Sequence, residues 1–267
     1  MMLSIILPAY NEARSIRSSM EEMRVKMPSI CAEITNHLRG ELSTSFEIII
    51  VNDGSTDQTG EIVRQYIAAF PSFNLQLIEL SANHGKGYAV KVGIESAKGK
   101  YLVFMDADLS TSLMELPKLI YAIQREKSMA IGSRGLHQSR IVNHQPIYRE
   151  LMGKFFNLLV KLLVINNIHD TQCGFKAFRY DDAKRIFSLL QTPRFGFDVE
   201  ILLIAQELGI SIQEIPITWS NSIYSSVSPI RDSWEMFGSL LQMKQRVRPR
   251  VRRCLLSAPS EEKILHG

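Results

Sequence analysis

Residues 101–108 read Tyr101-Leu-Val-Phe-Met-Asp-Ala-Asp108, and this stretch decides the fold. A short apolar run without polar alternation is the pattern of a strand buried on both faces. Here it ends abruptly in two carboxylates separated by one residue. Alternate carboxylates at a strand end can point toward one small volume, where a hard divalent cation uses such oxygens alongside phosphate oxygens. The plainer reading of the same residues is a solvated turn, because Asp is common in turns.

Working outward, the same grammar repeats. Leu3-Ser-Ile-Ile-Leu7 precedes an amphipathic stretch from Glu12 to Arg39, and Phe46-Glu-Ile-Ile-Ile-Val51 leads into a helix starting near Thr56. Leu75-Gln-Leu-Ile-Glu-Leu80 precedes a helix from about Gly87 to Ser96, and the 101–105 run precedes another from Leu113 to Glu126. Apolar strands alternating with helices predict an α/β fold with a mostly parallel sheet covered on both faces. Ligands on such sheets bind beyond the C-terminal ends of the strands. The polar clusters Pro8–Glu12, Asn52–Asp57 and Asp106–Ser110 stand at those ends. Asp53-Gly54 by itself reads as a turn, with Ser55 or Thr56 capping the next helix. Two acidic strand ends in neighbouring connections are harder to explain as two turns, and together they point to a nucleotide pocket.

After Arg134 the alternation breaks down. Residues 148–165 read as an amphipathic helix with Met152, Phe155, Phe156, Leu159, Leu162 and Leu163 at helical spacing. Residues 173–178 and 212–218 read as short strands around a helix from Asp198 to Leu208. Ser220 to Ile230 is serine-rich and reads as mobile. The last forty residues place Arg246, Arg248, Arg250, Arg252 and Arg253 beside Trp234, Phe237, Leu240 and Leu241. The expected organisation is a catalytic unit over 1–220, with a nucleotide half (1–134) and an acceptor half (135–220). A flexible loop and basic extension would follow over 221–267.

With 267 residues, 45% of them hydrophobic, the chain is long enough for a sizeable core. A net charge of only +4 argues against a nucleic-acid binder. Its three cysteines are scattered and show no CxxC spacing, which argues against a disulfide framework or zinc site and fits a reducing compartment. The N-terminal apolar run reaches Pro8 quickly and reads as a strand rather than a signal peptide. No run approaches the roughly 20 apolar residues of a membrane span; the longest, Phe155 to Ile165, is interrupted by Lys161.

Pro8-Ala-Tyr-Asn-Glu12, Val51-Asn-Asp-Gly-Ser-Thr-Asp57 and Asp106-Ala-Asp108 together resemble the signature set of the family 2, GT-A-fold glycosyltransferases, in the right order across roughly the first 220 residues. The resemblance implies a donor site in which Pro8, Tyr10, Glu12, Asp53 and Ala107 hold the nucleotide. It also implies that Asp106 and Asp108 carry a divalent metal, Mg²⁺ or Mn²⁺, on the diphosphate. Asn83-His-Gly-Lys-Gly87 is similar to the lysine-bearing loop of polyprenyl-phosphate hexosyltransferases. Asp170-Thr-Gln-Cys-Gly-Phe-Lys176 is similar to a segment of the dolichyl-phosphate β-glucosyltransferases, and less so to that of the mannosyl relatives. Arg194-Phe-Gly-Phe-Asp198 also fits.

By that resemblance Lys86 and Arg194 would neutralise the donor phosphates. Arg134 and Arg149 would grip a lipid phosphate, and Asp170 and Gln172 would line the sugar or acceptor pocket. Guanidinium forks suit such phosphate recognition. The helix after Arg149 would then lie in a headgroup boundary; its alternative is an ordinary core helix. Cys173 reads as a small buried hydrophobe, and Glu200 as either an acceptor-side acid or a solvated helix position.

The function so implied is inverting transfer of a hexose, glucose from UDP-glucose, to polyprenyl or dolichyl phosphate. The enzyme would be peripheral on the cytoplasmic face of a membrane, of a bacterial or archaeal type without an anchor. GDP-mannose as donor, or a non-lipid hydroxyl acceptor, is the nearest alternative. A pyrophosphorylase-like nucleotidyltransferase, or a non-catalytic module binding nucleotide-sugar or membrane, is more distant. One departure concerns the loop after the last strand: Ser222-Ile-Tyr-Ser-Ser-Val-Ser228 lacks the Gly-Ser-Lys pattern of relatives, and Arg231 is the substitute considered. The basic C-terminal stretch reads either as a contact with lipid or a membrane-embedded partner, or as a frayed solvated tail.

Overall fold

The computed structural model describes residues 2–38, 45–124, 128–144, 146–165, 167–194, 196–221 and 229–257, with the side chains at 147, 149, 150, 154, 229–239 and 241 outside that description. The first half runs β1 (Leu3–Ala9), α1 (Ile16–His37), β2 (Phe46–Asn52), α2 (Thr59–Ala69), β3 (Leu75–Glu79), α3 (Lys86–Ser96) and β4 (Tyr101–Met105). A 3₁₀ turn at Leu113–Glu115 leads into α4 (Leu116–Ala122) and β5 (Ser128–Ser133). The second half continues with β6 (Arg140–Asn143), α5 (Ile147–Leu163), β7 (Phe175–Arg179), α6 (Tyr180–Leu189), α7 (Phe197–Glu207), β8 (Ser211–Pro216), β9 (Thr218–Ser220) and α8 (Pro229–Ser257).

Seven strands form the main sheet in the order β3-β2-β1-β4-β7-β5-β8, and β6 and β9 form a separate parallel pair. All neighbours in the main sheet are parallel except β7, which is antiparallel to both β4 and β5. This reversal has a functional consequence. Phe175, the first residue of β7, pairs with Met105, the last of β4. The segment 170–174 therefore arrives at the same end of the sheet as Asp106. A parallel β7 would have placed it at the opposite end. The chain winds from β1 to β2 on one side and to β4 on the other, so a topological switch point lies beyond the C-terminal ends of β1 and β4.

Strands β4 and β5 are buried along their whole length, as expected for strands covered on both faces. Alternate residues feed two cores. Ile6, Leu102 and Phe104 face α3, α6, α7 and the inner sides of α5 and α8, while Ile5, Leu7, Val103 and Met105 face α1, α2 and α4. Phe104 sits among Phe178, Phe187 and Phe197, with the Phe104–Phe197 centroids 5.7 Å apart. Offset and tilted ring contacts of this kind add to plain area burial.

Several sequence expectations change in detail. The first helix begins at Ile16 rather than Glu12, leaving 10–15 as a loop. The 212–218 run divides into β8 and β9 around Ile217, while α6 and β6 were not anticipated. The serine-rich 222–228 loop lies outside the described residues, as do the side chains of Arg231, Trp234, Phe237 and Leu241.

Helix α5 differs from a helix with a single apolar face. Phe156 and Val160 point into the core, while Tyr148, Leu151, Phe155, Leu158 and Leu162 lie outward, each between 52% and 70% exposed. These five recur at three- and four-residue spacing and make one continuous apolar stripe. Among the described residues no helix is long and apolar enough to cross a membrane.

The basic C-terminal stretch is not a frayed tail where it is described. Leu240, Met243, Val247 and Val251 are all buried in the core, and Arg248 donates to Glu207 at 2.8 Å. Helical spacing of apolar residues within the basic run accounts for this: one stripe packs on α7 while Arg246, Arg252 and Arg253 stay exposed.

Candidate active site

Two loops interlock beyond β1 and β2. Asn11 donates its backbone N–H to Ser55 Oγ (2.9 Å) and accepts the N–H of Thr56 on its own side-chain oxygen (2.8 Å). Glu12 N–H reaches Thr59 Oγ1, and Ala13 N–H reaches an Asp57 carboxylate oxygen. Asp57, rather than Ser55 or Thr56, accepts the Thr59 N–H at the start of α2. Asn11 has φ +56° and Leu109 φ +51°. Positive φ at a leucine is strained, and such strain gathers where the surrounding structure fixes a site. The two residues flank the opposite sides of the switch point.

Asp53 ties this region to the Gly-Lys loop. It is buried, and its carboxylate accepts the backbone N–H groups of His84 and Gly85, both at 2.8 Å. Gly54 turns with φ +64°, and a Cβ there would lie 2.3 Å from the Ala82 carbonyl carbon. The Asp-Gly turn is therefore real, and it also serves to seat the 82–87 loop. Gly85 has φ +100°, outside the ordinary range of L-residues. It delivers Lys86 to the first turn of α3, with Nζ 2.5 Å from Asp106 Oδ1.

Asp106, Asp108 and Glu12 face one another. Asp108 accepts both the N–H (3.0 Å) and the hydroxyl (2.8 Å) of Ser110, which fixes the turn after β4. Ala107 between them is buried. Pro8 and Tyr10 are half-buried at the end of β1. Burial pushes the Glu12 carboxyl up to about 7; a hydrogen bond from Ser15 opposes this, and the charges of Asp108, Asp106 and Asp57 add to it. Burial pulls the Lys86 ammonium down, but Asp106, Asp198 and Asp108 outweigh it and hold Lys86 above the ordinary lysine value.

Among the described residues no group of three or more His, Cys, Asp and Glu side chains forms a metal site. Asp106 and Asp108 can hold a hard cation only if other oxygens, such as those of a diphosphate, complete its shell. Burial is the main cause that raises Glu12, and the negative charges of Asp108 and Asp106 that add to it are what such a cation would offset, so the donor set fits.

The reversed β7 brings the second cluster alongside. Gly174 presses on Asp106: a Cβ at 174 would fall 2.3 Å from Oδ2 and 2.4 Å from Oδ1. Arg134 Nε and Nη2 donate to the two oxygens of Asp170 at 2.6 and 2.9 Å. The guanidinium carbon also lies 5.3 Å from the Trp219 ring centroid. Burial alone would raise Asp170, but Arg134 holds it below the usual carboxylate range. Glu214 pins the same loop by accepting the N–H groups of His169 and Asp170. Gln172 is half-buried next to it, and its N–H donates to Asp170 at 3.2 Å. Strand β9 lies against residues 110–112, since Ser220 N–H donates to Ser110 O and Ser112 N–H to Thr218 O. The Trp219 side of the Arg134–Asp170–Trp219 cluster is thereby held against the 110–112 turn that follows Asp108.

Behind both clusters, Lys176 is completely buried and donates to Asp198 (2.5 Å) and to the Cys173 carbonyl (2.6 Å). Burial raises Asp198 despite Lys176 and Lys86. Burial likewise pushes the Cys173 thiol up to about 12, so it stays protonated and fits a packing role. Glu200 is neither a solvated position nor an open acid. It is buried and accepts the N–H groups of Gln191 (3.2 Å) and Thr192 (2.8 Å). Arg194 is exposed, its Cγ beside Gly85. The Arg149 side chain lies outside the described residues; its backbone is in the first turns of α5.

Gly174, Trp219 and Asn11 were not singled out by sequence reasoning. Gly174 sits in a segment that was, and the positive-φ Asn11 sits in another. Trp219 carried no such signal, because its place depends on the β6–β9 pair.

The chain is similar in sequence and in fold to known proteins. The dolichyl-phosphate β-glucosyltransferase of Dictyostelium discoideum is 36% identical over 253 residues, covering 91% of this chain and 74% of that protein. The human enzyme of the same name is 32% identical over 250 residues, covering 91% and 75%. A crystal structure of Mycobacterium tuberculosis glucosyl-3-phosphoglycerate synthase shares the fold at TM-score 0.62 and 18% identity, over 97% of this chain and 82% of that one. The same synthase has been crystallised with Mn²⁺, UDP-glucose and phosphoglyceric acid, in a form that matches at TM-score 0.59 and 15% identity over 92% and 79% of the two chains. The family model described as Glycosyl transferase family 2 matches residues 4–187, and the chain belongs to that family.

Proposed function

We propose that this chain transfers glucose from UDP-glucose, with inversion, to the phosphate of a polyprenyl or dolichyl lipid at a membrane surface. The observation that carries the reading is the crowding of Glu12, Asp106 and Asp108 at one switch point, next to a separate arginine–carboxylate cluster. The first is suited to a nucleoside diphosphate with its cation and the second to a phosphate-bearing acceptor. The names of the similar glucosyltransferases support the choice of sugar and lipid.

Pro8, Tyr10, Glu12, Asp53 and Ala107 form the donor side. A Mg²⁺ or Mn²⁺ ion on Asp106 and Asp108 would neutralise charge on the departing nucleoside diphosphate. Lys86 holds the Asp106 carboxylate in place and adds positive charge, and Arg194 approaches the phosphates from the next loop. On the acceptor side, Arg134 has two of its nitrogens on Asp170 and presents the remaining edge of its fork. Arg149 and Gln172 complete the grip. A phosphate monoester has a second pKa of about 6 and is mostly dianionic at neutral pH. It needs no general base, so the protein contributes positioning and electrostatic stabilisation. Attack opposite the leaving group converts an α-linked donor into a β-linked product.

The outward stripe of α5 supports a peripheral position, with Tyr148, Leu151, Phe155, Leu158 and Leu162 in the headgroup boundary on the cytoplasmic face. Exposed Arg246, Arg252 and Arg253 add attraction to anionic lipid or to a membrane-embedded partner. The test is incubation with Mn²⁺, a panel of UDP- and GDP-hexoses and a short polyprenyl phosphate, read by mass spectrometry. A lipid-phosphate-hexose from UDP-glucose is expected. Product from GDP-mannose would overturn the donor, and product only with a soluble acceptor would overturn the lipid.

A further inference from the structure

The buried pair Glu200–Arg250 has no part in the chemistry described above, yet it reaches the donor site through the backbone. Arg250 lies far along α8 and its Nη2 donates to Glu200 Oε1. The two side chains are only 12% and 4% exposed. The same carboxylate accepts the N–H groups of Gln191 and Thr192, so its position sets where the 191–194 loop lies.

That loop is fitted closely to the start of α3. Pro193 O accepts the Tyr88 N–H at 3.0 Å, and Lys91 Nζ donates to Leu190 O at 3.0 Å. A Cβ on Gly85 would meet Pro193 O and Arg194 Cγ, each at 2.7 Å; one on Gly87 would meet Thr192 O at 2.7 Å. The loop thus rests on both glycines flanking Lys86, whose ammonium holds Asp106. With contacts this tight, a shift of the loop cannot be absorbed without moving Gly85, Lys86 or Arg194.

We propose that Glu200 and Arg250 are positioning residues for the donor-phosphate site. They clamp the 191–194 loop against the N-terminus of α3, and so make the C-terminal helix part of the donor-binding machinery. The proposal rests on the reading of Lys86, Arg194 and Asp106 as the donor-phosphate site. Helix α8 also packs on α5, at contacts separate from the Glu200–Arg250 pair.

The test compares Arg250→Met, Arg250→Lys and wild type by hydrogen exchange, by UDP titration with Mn²⁺, and by separate KM values for donor and acceptor. Arg250→Met is expected to speed amide exchange at 191–192 and at Tyr88. It should weaken UDP binding and raise the donor KM by about tenfold, with the acceptor KM unchanged, an effect ordinary for one site biasing another. Arg250→Lys should restore most of each. A lower melting temperature with unchanged local exchange and donor KM would reduce the pair to a structural tie and overturn the proposal. The exchange measurement needs no ligand, so it tests the clamp even if UDP proves to be the wrong nucleotide. A wild type that binds UDP but makes no lipid product would instead count against the proposed acceptor alone.

Discussion

The two ends of the central sheet both carry carboxylates, fully buried at one end and half-buried at the other, and they treat them differently. At the N-terminal end of the parallel strands, Glu47 is fully buried. It accepts the Ser4 hydroxyl (2.5 Å), the Lys98 N–H (2.8 Å) and the Gln76 amide (3.2 Å). Ser4 in turn accepts the Gly99 N–H at 2.7 Å. Everything there is paired within the fold. At the C-terminal end, Glu12, Asp106 and Asp108 each have one donor side chain (Ser15, Lys86 and Ser110). Yet the charges of Asp108 and Asp106 still add to burial in raising Glu12, and the backbone beside them is strained at Asn11 and Leu109. A buried carboxylate surrounded by its own donors holds the structure together. Carboxylates crowded together ask for something from outside it.

This contrast can be broken most directly by removing the charges. Asp106→Ala with Asp108→Ala should lower transfer by on the order of 10³-fold or more per folded molecule. A retained rate would dissolve the distinction between the two ends. Next, Gly174→Ala pushes a methyl group into the Asp106 carboxylate and should cost roughly 10²-fold in kcat, since small displacements of reacting groups are expensive. Comparing its kcat with its melting temperature separates a displaced carboxylate from a loosened fold. At the other end, Glu47→Gln should leave kcat per folded molecule intact and destabilise the protein by about 1–3 kcal/mol, read by denaturant titration. Loss of activity without loss of stability would contradict its structural assignment.

The smallest effect concerns pH. In the folded protein burial pushes the Glu12 carboxyl from 4.5, the value of a solvent-exposed carboxyl, up to about 7. The folded protein therefore binds this proton more tightly than the unfolded chain. Its contribution to stability is full below about pH 4.5 and is lost as pH rises through 7. Without added cation, the melting temperature of wild type should fall relative to Glu12→Gln across that window. Parallel curves would show that Glu12 is not held against its neighbours.

Much of this was legible in the sequence, for physical reasons. The mostly apolar runs at 3–7, 46–51 and 101–105 specify buried parallel strands, and polar residues concentrated just after each run mark the ligand end. Asp53, Lys86, Asp106 and Asp108 follow from that rule and from the family resemblance. The reversal of β7 was not legible, because a short apolar run carries no direction. With it went the closeness of Gly174 to Asp106. The Arg134–Trp219 contact depends on the two-stranded β6–β9 ribbon, whose short strands have weak local signals. Helix α8 hides its buried stripe among arginines, and the pairing of Arg250 with Glu200 spans 50 positions that no local pattern connects. The outward stripe of α5 could be seen as apolar, but only the packed structure separates the residues that face the core from those that face out.

The crowded carboxylates are the proposed cation-dependent nucleotide site. Calorimetric titration with UDP, with and without Mn²⁺, tests it in wild type, in Glu47→Gln and in Asp106→Asn combined with Asp108→Asn. Saturable UDP binding that requires Mn²⁺, persists in Glu47→Gln and disappears in the double variant is the predicted result. Equal UDP binding in the double variant, or binding indifferent to Mn²⁺, would contradict it.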